Sequence, residues 1–408
     1  MSRFGCVTAL VLSAAALGAG CGGEGASESN GSGAADGKAG APEFGRNVVR
    51  VPGRSSTDVA AAATLAAYPP GQGKAPNGFV LFPREDWRRA VLAGQFVSAP
   101  ANAALVPTEP DYLPTAAADL VSRLRPPGFP GEATLHALLL GEPGEEVVLA
   151  FQERRQSLTK LGEPDPNKLS GELVAYRGGW AKGFSDDILI VSAEDEDRPY
   201  ALIAAAWSGL TGDTVAFVEG DTIPQPTAEL LEQRRKLRLI KPTIWLLGPE
   251  SVVSETVAEE LGGFGEVKRV EGEGPIETAV EMARYRDQET GFGWGLKRAP
   301  VNVSLVNLND WGNAVGALQL TGAGPRAALL LTDDSEQLPE AVAEYLREIQ
   351  GPEPSQGYVL GDPDSISSSQ LAELDELLEA SGPGADAKPG TSVGPKGEAD
   401  ESSAKAAE

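Results

Sequence analysis

From about residue 45 onward the chain alternates two patterns. Short unbroken apolar runs, such as Ile244-Trp245-Leu246-Leu247, give way to stretches in which apolar residues recur at three- and four-residue spacing. The first pattern marks strands buried on both faces; the second marks amphipathic helices. Gly248-Pro249 separates the two patterns in "TIWLLGPESVVSETVAEEL", and the same punctuation follows Leu139-Leu140-Gly141 and Val359-Leu360-Gly361. These glycines, Gly141, Gly248 and Gly361, lie 107 and then 113 residues apart.

Other landmarks keep the same step and order. Helical stretches end at Tyr68, Tyr176 and Tyr285, each preceded by a basic, apolar and glycine group opening at Arg50, Lys160 or Arg269. β-branched runs start at 78, 187 and 301. Small-residue helices follow around Ala90, Ala201 and Ala314, and later helices begin at Pro114, Pro224 and Pro339, where proline is tolerated. A fixed period marks tandem copies. The copies expected are 45–157, 158–266 and 267–381, the second degenerate. Each is predicted to read strand–helix three times around its own small core. Alternating strands and helices imply parallel sheets covered on both faces. The predicted fold class is α/β, three tandem small Rossmann-like domains.

Composition narrows the function classes. The chain has 408 residues, 41% hydrophobic and 23% charged, as soluble globular proteins do. Its net charge of −25 argues against a nucleic-acid partner, which needs a basic footprint. Both cysteines, Cys6 and Cys21, lie in the first 21 residues. Arg3 followed by "FGCVTALVLSAAALGAG" reads as a signal peptide over 1–20. The segment "LGAGCGG" resembles a bacterial lipobox, which makes Cys21 the candidate lipidated residue. Residues 21–44 and 382–408 are too poor in large apolar groups to offset ordering entropy, and read as a linker and a tail.

Little in the chain supports catalysis. His136 is the only histidine and reads as structural. There is no Cys/His cluster and no Gly-x-Ser-x-Gly elbow. The glycines at 262–265 and 291–295 do not sit between a strand and a helix, so no cofactor is expected. The acidic run Glu194–Asp197 reads as a solvated loop. The basic run Arg234, Arg235, Lys236, Arg238 and Lys241 reads as an exposed helix end or a polymer contact. Arg84, Arg88 and Arg89 surround Trp87 as a smaller basic cluster.

Several of these features together resemble the cell wall-binding repeat type 2 family. They are Arg269 to Gly272 with Thr278-Ala279, Asn309-Asp310 through Ala317, the strand and proline from Leu329 to Pro339, and the close from Tyr358 to Ser367. The resemblance covers all the globular sequence. It implies three modules packed about a pseudo-threefold axis, and a non-enzymatic protein that binds a cell-wall glycopolymer or peptidoglycan. Membrane contact would come through the lipid anchor alone, and the protein would be exported to the cell envelope. Ligands of open α/β sheets sit beyond the carboxyl ends of the strands. That rule selects Asp86, Asp310, Thr108 and Thr332, with Trp87 and Trp311 beside them as packing or stacking residues. Arg50 and Arg269 either cap interdomain contacts or point into a shared groove. Leu330 and Leu331 match a family segment associated with the polymer groove, and read here first as core. The alternatives are a lipid-anchored solute receptor, or a structural scaffold whose polymer site has decayed.

Overall fold

In the computed structural model the described residues are 45–71, 73–181, 185, 187–237, 241–322 and 324–381. The expected signal peptide, Cys21, the linker and the tail lie outside them. The first repeat runs β1 (Val48–Val51), α1 (Ser56–Ala67), β2 (Phe79–Pro83), α2 (Trp87–Gly94), β3 (Ala104–Thr108), α3 (Thr115–Arg123), β4 (Leu135–Leu140) and α4 (Glu145–Glu153). The second runs β5 (Ser157–Leu161), α5 (Pro166–Ala181), β6 (Asp187–Ser192), α6 (Arg198–Thr211), β7 (Thr214–Val218), α7 (Gln225–Leu237), β8 (Thr243–Leu247) and α8 (Glu255–Leu261). The third runs β9 (Glu266–Val270), α9 (Pro275–Arg284), β10 (Asn302–Asn307), a 3₁₀ segment (Leu308–Asn313), α10 (Ala314–Gly322), β11 (Ala328–Thr332), α11 (Glu340–Ile349), β12 (Gln356–Leu360) and α12 (Ser368–Leu377).

The fold is α/β, with three parallel four-stranded sheets. Each repeat contributes four strand–helix pairs, which corrects the expected three. β5 and β9 stand at sheet edges and carry exposed or half-exposed Ser157, Lys160, Glu266 and Lys268, so no unbroken apolar run announces them.

Those opening strands pair with the sheet of the preceding repeat. The strand orders are β3-β2-β4-β5, β7-β6-β8-β9 and β11-β10-β12-β1. β5 aligns Lys160 with Leu139, β9 aligns Arg269 with Leu246, and β1 aligns Arg50 with Val359. The exchange therefore closes on itself: the first strand of the chain completes the sheet of the last repeat. Asp375 of α12 holds that seam, accepting from the backbone N–H groups of Arg46, Asn47 (2.6 Å) and Val48 (3.0 Å).

The equivalent helices α2, α6 and α10 all pack on one another, forming the pseudo-threefold centre. Position for position, Gly94, Ala205 and Leu318 meet there. A Cβ on Gly94 would lie 3.2 Å from the Ala205 carbonyl oxygen and 3.5 Å from Leu318 Cδ1, so the glycine makes room for the leucine. Gln319, the next residue, is fully buried and caps the edge strand β3. Its Oε1 accepts from Leu105 N–H (2.9 Å) and its Nε2 donates to the Ala103 carbonyl (3.3 Å).

The core is not three separate cores. One apolar cluster runs through inward residues of all three sheets, including Phe82, Leu189 and Leu305, because every sheet turns one face to the shared helices. Outward residues form satellite clusters on the first sheet (Phe79, Leu81, Phe151) and the second (Ile188, Ile190, Leu246).

A candidate binding cleft where the ring closes

The carboxyl ends of the strands surround the N-terminal ends of α2 and α6 and the 3₁₀ segment before α10. Asp86 caps α2, accepting from Arg89 N–H at 3.0 Å and pairing with the Arg89 guanidinium. Trp87 is buried. Its indole N–H donates to Asp195 Oδ1 at 2.8 Å, its ring meets Phe217 edge-on, and the Arg88 guanidinium lies 4.4 Å over it. Arg88 also donates to the Ala193 carbonyl. The Trp87 N–H and then Arg88 hold the Asp195 carboxyl below its ordinary range. The acidic loop expected to be merely solvated thus supplies a contact between the first and second repeats.

The recurrent basic residues cap the turns of the neighbouring strand. Arg50 is 3% exposed, and its Nη1 donates to the carbonyls of Gly361 (3.2 Å), Asp362 (3.3 Å) and Ile366 (2.8 Å). Arg269 does the same for Gly248 (2.9 Å) and Val253 (2.8 Å). Among the described residues Lys160 reaches only Glu142, at 3.8 Å. Those turns begin at Gly141, Gly248 and Gly361, with φ of 111°, 108° and 131°, values that favour glycine.

Other sequence-selected residues sit inside the protein. Leu330 and Leu331 are fully buried in β11. Thr108 is buried and donates to the Phe82 carbonyl; Thr332 is buried, donates to the Asp334 carbonyl and accepts from Gln370. Arg234, expected on an exposed helix face, is buried and donates to the Ser185 carbonyl. Arg235 and Lys236 both pair with Glu232, and Arg238 lies outside the described residues. His136 is the extra residue of a bulge between β4 and β5, with Nδ1 3.3 Å from Ser157 Oγ. The aromatics of the 291–295 loop fill space under the second sheet, where Phe292 stacks on Trp245 at 3.9 Å between centroids.

Asp310 and Trp311 share a cleft of about 240 Å³ between the third and first repeats. Asp310 is exposed and Trp311 half-buried, with Arg198 5.4 Å from its ring centre. Arg54, Ser55 and Ser56 at the start of α1 form the facing wall, and Arg84 closes one end, paired with Glu109 at 2.8 Å. Asn313 and Ser365 also line it; sequence reasoning selected neither. Asp86 belongs to the corresponding junction between the first and second repeats, with Arg88, Arg89 and Glu194. Among the described residues, no three His, Cys, Asp or Glu side chains are placed to hold a metal ion. The cleft offers hydrogen-bond donors and acceptors and an aromatic ring.

The fold resembles that of Cwp6 from Clostridium difficile. The match has a TM-score of 0.67 at 15% identity, over 84% of this chain and 50% of that one. Cwp8 from Clostridium difficile matches with a TM-score of 0.62 at 15% identity, over 81% of this chain and 51% of that one. The chain thus spans about half the length of these neighbours. No family model and no curated protein matches it. No helix among the described residues is long and apolar enough to cross a membrane.

Proposed function

We propose that the chain is a non-catalytic protein of the cell envelope that binds a cell-wall polymer through its ring of three strand-exchanged units, tethered to a membrane by a lipid on Cys21. Its fold likeness to Cwp6 and Cwp8, both cell wall proteins, supports this reading. The observation that carries it is the cleft around Asp310 and Trp311, at the carboxyl ends of strands, where α/β folds take ligands. The net charge of −25 opposes a polyanion at long range, within a Debye length of about 8–10 Å at moderate salt. The polymer segment engaged is therefore a weakly charged one. Exchanged strands also join every unit to the next, which leaves no two-lobed hinge of the kind a solute receptor closes.

Co-sedimentation with purified wall sacculi tests the reading. The protein is expected to pellet with intact walls and to do so at both low and high salt. Absence from the pellet under every condition would overturn it.

A further inference from the structure

The three repeats place different residues at one position. The residue before the shared alanine of the central helix is Arg89, Tyr200 or Asn313. Each stands over the equivalent positive-φ glycine: a Cβ on Gly141 would meet Arg89 Nε at 3.4 Å, on Gly248 Tyr200 Cδ1 at 2.9 Å, and on Gly361 Asn313 Nδ2 at 3.0 Å. Arg89 lines a wider, more open junction of about 680 Å³, where it is bound to Asp86 and to the Glu163 carbonyl (2.9 Å). Tyr200 fills its junction with a buried ring. Asn313 is short, and the space it leaves is part of the cleft.

One buried polar group in that cleft has no hydrogen-bond partner among the described residues. Ser365 is 7% exposed and its hydroxyl oxygen is buried with no hydrogen-bond partner among the described residues, and Asn313, 8% exposed, stands beside it. Both face the same point, because the Cβ position over Gly361 is 3.0 Å from Asn313 Nδ2 and 3.2 Å from Ser365 Oγ. Buried polar groups are almost always paired, and an unpaired one costs about 1–3 kcal/mol. Such a hydroxyl, converging with the Asn313 amide beside an open cleft with an aromatic wall, is what a polar ligand would satisfy.

We propose that this cleft is built to take one uncharged, hydroxyl-rich ring, a neutral sugar unit. Two arginines, Arg54 and Arg84, meet three carboxylates there, Glu85, Asp310 and Asp362, so a phosphate or uronate would enter against net negative charge. Sugar hydroxyls suit the donors and acceptors of Asn313, Ser365 and Asp310, and the Trp311 ring supplies an apolar face. The volume, about 240 Å³, is below the roughly 300–1,000 Å³ of sites for larger ligands and fits a single ring. The inference rests on the wall-polymer reading only for the source of the sugar.

The test is calorimetric titration of the full chain with chitotriose, maltotriose and mannotriose, and with poly(glycerol phosphate). At least one neutral trisaccharide is expected to bind more tightly than the polyanion. Ser365→Ala and Asn313→Tyr, the latter copying the second repeat, should each weaken that binding about tenfold or more, the loss of a hydrogen bond or two. Ser365→Ala removes an unpaired hydroxyl, so its thermal midpoint should stay level or rise, which keeps the test valid if Asn313→Tyr folds poorly. Arg89→Ala should leave binding unchanged. Failure of all three trisaccharides, tighter binding of the polyanion, or full binding by Ser365→Ala would each overturn the inference. Sedimentation with sacculi separates the two readings. Pelleting unaffected by Ser365→Ala sinks the cleft and keeps the wall, whereas trisaccharide binding without pelleting does the reverse.

Discussion

The Arg50 guanidinium donates to the carbonyl of Ile366 at 2.8 Å, across 316 residues of chain. Arg269 makes the same kind of contact inside one exchanged pair, with Val253, and Lys160 leaves its turn almost uncapped. One position of the repeat therefore does three grades of the same work. Arg50→Ala should cost about 3 kcal/mol, since a buried charged donor to three carbonyls is lost. Lys160→Ala should cost under about 0.5 kcal/mol, as an exposed pair. Urea unfolding of both variants checks the ratio; equal losses would contradict it.

Glycines in the helices separate close approach from mere tolerance. A Cβ on Gly322 would lie 2.8 Å from Val97 Cγ1 and inside contact distance of the Gly209 carbonyl oxygen, whereas one on Gly171 of α5 meets nothing. Gly322→Ala should lose about 1–3 kcal/mol by overpacking the threefold centre. Gly171→Ala should gain up to about 1 kcal/mol from helix propensity. Opposite shifts in thermal midpoint are the expected signature.

Gln319 and Gln95 occupy the same repeat position but different circumstances. Gln319 bonds β3 at both ends of its amide; Gln95 donates to the Leu92 carbonyl (2.9 Å), and its Oε1 has no partner among the described residues. Gln319→Leu should cost about 2 kcal/mol, because Leu105 N–H is left buried and unpaired. Gln95→Leu should cost much less. Hydrogen exchange at Leu105 should quicken only in the first variant.

Asp287 gives the fold an acid dependence. The Thr290 amide first, then the Lys268 ammonium at 3.0 Å, hold its carboxyl well below the usual range. A depressed pKa contributes stability that is whole above the unfolded value, about 3.9, and is lost as pH falls through the folded one. Asp287→Asn should therefore be less stable than the parent at neutral pH, with the difference closing as acid is added. A difference that widens in acid would contradict the assignment.

The repeat was legible because doubly buried strands and turn glycines leave strong local marks. What those marks lack is a partner. β1 reads Val-Val-Arg-Val, which says strand and says nothing of β12, more than 300 residues on. Periodicity likewise could not show that the acids around Asp195 answer Trp87, since that contact crosses repeats. At the cleft, Asp310 and Trp311 were readable as residues beyond a strand end. Asn313 was not, although its signal was present: one position varying as arginine, tyrosine and asparagine beside an alanine that stays the same.

The ring seam also fixes how the molecule would carry load. β1 enters at Arg46, where the backbone is held by Asp375, and runs parallel to β12, whose carboxyl end leads into Gly361 and the cleft. A pull from the amino-terminal side against a polymer held by the Asp310, Asp362 and Ser365 side of that cleft would drag the two strands in opposite directions along their length. Such shear loads the Val48–Gly357 to Val51–Leu360 register together, with Arg50 and its three carbonyls as an added pin. The seam would resist as a whole where a peeled strand would yield one bond at a time.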